Sequence, residues 1–167
     1  MAAPTDLDGV DRIVAQWHRE RPDLDPSAMH VIGRISRLHW ALEERLLRVF
    51  GRYDLGRGEF DVLATLRRAG APFELSAGEL GESTMVTSGA VSKRVDRLER
   101  AGLVTRRAAE SDGRGRLISL TERGRALIDE ALAEHTRNET QLVSGLTTAE
   151  RDTLVDLLRK LGSTLPD

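Results

Sequence analysis

Between Ser76 and Thr121 the chain reads, in order, as helix, turn, helix and hairpin, and no other stretch narrows the possible folds as much. Ser76 and Glu79 have the S-x-x-E spacing of a capping box, which predicts a helix start. A turn around Glu82–Met85 follows, and Thr87 or Ser88 is placed to cap a second helix running to about Arg100. Along that helix Val91, Val95 and Leu98 recur at helical spacing and define one buried face. The opposite face carries Ser92, Lys93, Arg97 and Arg100, hydroxyls and cations suited to phosphates and base edges. Ala101-Gly102 supplies the stop. Two strand-like runs, Leu103–Arg107 and Arg116–Leu120, flank the turn-rich Ser111-Asp112-Gly113-Arg114-Gly115, which predicts a β-hairpin with Arg114 and Arg116 at its tip.

Helix, turn, helix and basic hairpin together predict a winged helix-turn-helix, in a chain that is otherwise mainly α. Asp6–Glu20 places Val10, Ile13, Val14 and Trp17 on one helical stripe, and Pro22 and Pro26 interrupt the chain after it. Ser27 is placed to cap a long helix reaching Gly51, with Met29, Ile32, Ile35, Leu42, Leu46, Val49 and Phe50 as its apolar positions. A further helix over 57–68 is expected to bury Phe60, Leu63, Ala64 and Leu66. Thr121 caps a helix running to about Leu142, and Thr147 with Glu150 forms a capping box for a last one carrying Leu154, Leu157, Leu158 and Leu161. The expected organisation is an added N-terminal helix (1–24), dimerisation helices (25–56 and 121–167) and the DNA-binding winged helix (57–120). More apolar helix surface lies at the two chain ends than one small domain covers, so a symmetric homodimer is expected.

Charge placement supports a nucleic-acid partner despite a net charge of −2. From Thr87 to Arg125 ten Lys/Arg stand against five acids, so that window carries +5 and the remainder −7. Phosphate attraction follows the local footprint rather than the total. The chain has no cysteine, which excludes disulfides and thiolate metal sites. No apolar run approaches a membrane span, and the N-terminus lacks the pattern of a secretory signal, so a cytoplasmic protein is expected. His18, His30, His39 and His135 have no metal-ligand spacing, and the glycines at 51, 56 and 58 fit no phosphate or dinucleotide loop. Neither an enzyme, a cofactor nor a metal is expected.

From about Ser27 to Leu161 this arrangement resembles the MarR family of bacterial transcription regulators. The wing carries that family's D-x-R…L-T pattern as Asp112-x-Arg114 and Leu120-Thr121. The resemblance implies that Arg114 reaches the minor groove and that Thr87, Ser88, Ser92, Lys93 and Arg97 face the DNA. The segments VDRIVAQWHRERPDLD, EFDVLATLRR and VTSGAVSKRVDRLERAGLV are similar to the PecS/HucR/UrtR branch, whose members carry an added first helix and respond to urate. That likeness implies a ligand-response set of Trp17, Asp61, Arg94 and Arg106, with an Asp61–Arg94 contact relaying anion capture to the DNA-reading helix.

The sequence therefore leads to a homodimeric repressor that binds a palindromic double-stranded operator and is released by a small anion, urate or a related purine. Branch members with the same set also answer to citrate and trans-aconitate, which is one alternative. A ligand-independent DNA-binding protein is the other.

Overall fold

The computed structural model describes residues 7–83, 88–108 and 116–165, with backbone alone at 88–90. In chain order these form α1 (Gly9–Glu20), α2 (Met29–Gly51), α3 (Arg57–Arg68), β1 (Glu74–Ser76), α4 (Ala77–Ser83), α5 (Ser88–Arg100), β2 (Val104–Ala108), β3 (Arg116–Leu120), α6 (Glu122–Leu142) and α7 (Thr148–Gly162). The helices and hairpin strands expected from sequence are present, so the chain is mainly α with one small antiparallel sheet. The chain divides into two compact units, residues 1–45 and 46–167, with the boundary inside α2.

In the first unit α1 begins at Asp8, whose carboxylate accepts from the backbone of Val10 and Asp11 while Asp11 returns a bond to the Asp8 N–H. Arg34 of α2 bonds Asp8 at 3.0 Å and Asp11 at 2.7 Å, fixing α1 along α2. Its guanidinium and the Asp8 backbone N–H hold the Asp11 carboxyl below the usual carboxylate range. Gly33 leaves room for Val10, whose Cγ1 would lie 3.1 Å from a Cβ added there. The expected stripe is only half buried: Val10 and Val14 are covered, whereas Ile13 and Trp17 are 44% and 45% exposed. Ser27 does not cap α2 with its hydroxyl. That group donates to Asp25 instead, and the helix starts two residues later, at Met29.

The second unit holds the main core. Phe50 of α2 stacks on Phe60 of α3 at 4.2 Å between ring centroids, and His135 of α6 closes the aromatic group. Val62, Leu63 and Leu66 of α3, Leu80 of α4, Val95 and Leu98 of α5, Val104 of β2 and Ile128 of α6 fill the remainder, each essentially solvent-free. Ala64, expected to be buried, is only partly so. Helix starts follow the predicted caps: Glu79 N–H donates to Ser76 Oγ at 3.2 Å, and Gly124 N–H to Thr121 Oγ1 at 2.9 Å. The Thr147–Glu150 capping box forms as well.

The sheet has the order β1-β3-β2, so the hairpin gains a third strand that the sequence pattern does not announce. β1 pairs antiparallel with β3 through Glu74↔Ser119. Glu74 accepts both Nε and Nη2 of Arg107, and Ser119 Oγ donates to it as well. These donors hold the Glu74 carboxyl below its usual range, and they tie β2 to the strand that leads into α4. Large apolar side chains stay exposed on α2 (Val31, Ile32, Leu38 and Trp40, the last 74%), and α7 buries none of its residues.

Candidate nucleic-acid interface and anion cleft

α5 is amphipathic, and its environment differs on each of its sides. Val91, Val95 and Leu98 point into the core, while Ser92, Lys93, Asp96 and Arg100 are exposed. Lys93 therefore presents its ammonium to solvent on the expected DNA-facing side. Replacing Lys93 with alanine should weaken binding to any duplex by about tenfold and lower the salt slope by about one, as loss of one phosphate contact requires. Titrating affinity against salt checks this, and an unchanged slope would remove Lys93 from the footprint.

On the side of the α2–α3 connection, Arg97 stays exposed but bends toward the chain. Its Nη2 donates to the Asp54 carbonyl at 3.3 Å and lies 3.5 Å from that residue's carboxylate; Nη1 is 3.8 Å from Glu59. Glu59 in turn accepts from the Gly56 N–H and so caps α3. Asp54 holds a left-handed backbone, φ 54°, which brings its carbonyl within reach. Arg97 thus fastens the far end of α5 to the start of α3.

On the other side stands Arg106. In β2 alternate residues face opposite ways, so Val104 and Arg106 share the inner face of the sheet while Arg107 points outward to Glu74. Register places Arg106 opposite buried Ile118. From there its Nη1 donates to Asp96 at 2.5 Å and to Glu99 at 3.1 Å, and its Nη2 to the Ser92 carbonyl at 3.3 Å. The guanidinium is mostly covered, at 18% side-chain exposure. These contacts bind the first wing strand to α5. Below them lies a cleft of about 290 Å³ lined by Ala77, Ser92, Asp96, Arg106, Arg116 and Ile118, among others. Arg106 and Arg116 give it two guanidinium groups, and Val91, Val95 and Ile118 an apolar floor.

Arg94 leaves α5 toward α3. Its guanidinium rests on Gly58, one helical turn before Asp61. Arg94 Nη1 is buried and has no hydrogen-bond partner among the described residues, so Asp61 does not reach that nitrogen. Asp61 is half-buried and has interactions of its own. Trp17 belongs to the first unit and Asp61, Arg94 and Arg106 to the second. Thr87, Arg114 and the Ser88 side chain lie outside the described residues. The paired roles of Arg97 and Arg106 in holding α5 were not read from sequence; the alternation in β2 was the available signal for Arg106. Among the described residues no group of three or more His, Asp or Glu is arranged to hold a metal ion, and no helix is long and apolar enough to cross a membrane.

Comparison with known proteins agrees with this geometry. The model of the MarR family matches residues 53–115. The transcriptional regulator PecS of Dickeya dadantii is 41% identical over 152 residues, covering 91% of this chain and 92% of that protein. A solved structure of Bordetella bronchiseptica BpsR, described with regulation of its DNA binding by 6-hydroxynicotinic acid, superposes with a TM-score of 0.71 at 26% identity, over 81% of this chain and 95% of BpsR. A mutant MarR from E. coli, in complex with operator DNA, superposes with a TM-score of 0.69 at 26% identity, over 90% of this chain and 98% of that one.

Proposed function

Because the chain belongs to the MarR family of DNA-binding transcription regulators and is not an enzyme, we propose that it is a homodimeric repressor released from a palindromic operator by a small anion. The observation that carries the anion response is the position of Arg106. The same guanidinium that lines the cleft also holds Asp96, Glu99 and the Ser92 carbonyl of α5. An anion entering the cleft competes with those acceptors, and a charge-assisted, two-pronged bond to a carboxylate or urate suits arginine. Capture of Arg106 then loosens α5. By linkage, DNA weakens the ligand by the factor with which the ligand weakens DNA.

We assign DNA contact to Ser92, Lys93, Thr87, Ser88, Arg114 and Arg116, with Arg97 acting from the flank. Trp17, Asp61 and Arg94 complete the response set, Trp17 on the strength of the sequence pattern. The dimer is supported by the apolar surface left open on α2 and by α7, where Leu157 is 59% exposed and Leu158 48%. Two copies related by a two-fold axis would read half-sites about 34–36 Å apart.

Urate or a related purine is the preferred effector. The structural neighbour BpsR answers to a flat hydroxylated heteroaromatic acid, and the cleft here offers two arginines, with Asp96 beside them, over an apolar floor. The second arginine in the same cleft, Arg116, favours the other reading, a polycarboxylate such as citrate or trans-aconitate. A mobility shift on the DNA upstream of the protein's own gene, at fixed salt and titrated with each compound, separates them. Release by urate alone is expected. Release by the polycarboxylates alone would replace the purine, and indifference to all three would leave a DNA-binding protein without this response.

A further inference from the structure

Gly58 has no backbone reason to be glycine. It sits in the first turn of α3 with ordinary helical geometry, where alanine is the better helix former by about 1 kcal/mol. The reason lies on the neighbouring helix. A Cβ at position 58 would fall 2.0 Å from Arg94 Nε, 2.3 Å from its Cζ and 2.5 Å from its Cδ. The missing side chain is thus the space that the Arg94 guanidinium occupies. This seat also leaves Arg94 Nη1 buried without a hydrogen-bond partner among the described residues. Both features oppose stability: a glycine in a helix, and a charged donor taken from water without an acceptor. A packing contact alone would be better served by alanine facing an aliphatic side chain. Arginine in a glycine seat instead lays a long side chain across α3, and the shape of position 58 decides where that side chain can lie.

We propose that Gly58 is a positioning residue for the recognition helix, acting through Arg94: the seat sets the pose in which α5 presents Lys93 to DNA. The proposal rests on the reading of α5 as the DNA-facing helix. It differs from a relay through an Asp61–Arg94 bond, because it depends on the shape of position 58 and not on a carboxylate.

A double-mutant cycle tests it, with Gly58→Ala, Arg94→Ala and both together in the full-length protein. Each is measured for affinity to the duplex upstream of the protein's own gene and for thermal midpoint. Gly58→Ala alone should weaken the duplex about tenfold, although it changes no charge and no residue facing DNA. In the Arg94→Ala background the same substitution should change affinity by less than about twofold and raise the midpoint, since alanine then meets open space. Equal effects in both backgrounds would overturn the proposal. So would a Gly58→Ala protein with a lowered midpoint but undiminished affinity well below it, because the seat would then be purely structural. If Gly58→Ala alone fails to fold, the double variant decides: recovery of folding with duplex binding no better than that of Arg94→Ala supports the seat, and continued failure to fold, or binding equal to the parent's, overturns it. A parent that binds no such duplex would sink the reading of α5 instead, while the midpoints still report whether Gly58 serves Arg94.

Discussion

Gly124→Ala is expected to destabilise the winged-helix unit by about 3 kcal/mol, lowering its thermal midpoint by about 10 °C. Gly124 lies in the first turn of α6, where Thr121 accepts its N–H, and a Cβ there would stand 1.9 Å from the Leu103 carbonyl oxygen and 2.9 Å from its carbon. Both are backbone atoms, so no rotamer change relieves the clash. The carbonyl cannot move freely, since it accepts from the Thr121 N–H at 3.1 Å and from the Thr121 hydroxyl at 3.2 Å. Leu103 is buried in the core beside β2, so the strain passes directly to the wing. Gly145→Ala is the control. Nothing lies within 4 Å of its added Cβ, and the midpoint should stay within a degree or two. Circular dichroism melts of the two variants against the parent decide the matter, and a Gly124→Ala protein melting with the parent would overturn the close approach of α6 to Leu103 as the reason for glycine here.

Arg106→Ala is expected to weaken operator binding about tenfold, roughly 1.4 kcal/mol, and to abolish release by urate. Sequence alone suggests a residue that serves the ligand and leaves DNA binding intact. Its three contacts to α5 change that expectation. Each is a partly exposed ion pair or hydrogen bond worth little on its own, but all act on one mostly covered guanidinium and one helix. Asp96→Ala should reproduce part of the DNA defect while retaining ligand binding, because it removes an acceptor and leaves the arginine. Isothermal titration with urate and anisotropy with labelled duplex separate the two effects. An Arg106→Ala protein with parental affinity for DNA would mean that the wing strand does not hold α5.

Short-range signals in the sequence translated well into structure. The caps at Ser76, Thr121 and Thr147 are bonds between residues three apart, and their chemistry is complete within a single turn. The valine and leucine spacing of α5 likewise records only which face is buried. What escaped is long-range. β1 is three residues long, follows positive-φ backbone at Gly70 and Phe73, and exists because Ser119 pairs with Glu74 across 45 positions. Nothing within 74–76 announces it. Arg97 sits on the solvent side of a helical projection, yet its partner is the carbonyl of Asp54, 43 residues earlier at a left-handed turn. Gly58 matched no glycine-rich motif because its role is empty volume, and volume is set by a helix elsewhere in the chain.

The bonds from Arg106 to Asp96 and Glu99 make that arginine an internal counterion for two carboxylates on the recognition helix. While it is in place, the arginine offsets one of those two negative charges from within the fold, which lowers the electrostatic cost of a polyanion's approach. Under the proposed anion response, an effector that claims Arg106 would do more than loosen a helix. It would leave both negative charges unpaired beside the phosphate backbone, so that release would be repulsion as well as misalignment. Repulsion of that kind is screened by salt. The effector should accordingly lose potency as ionic strength rises, faster than its own binding to the cleft declines.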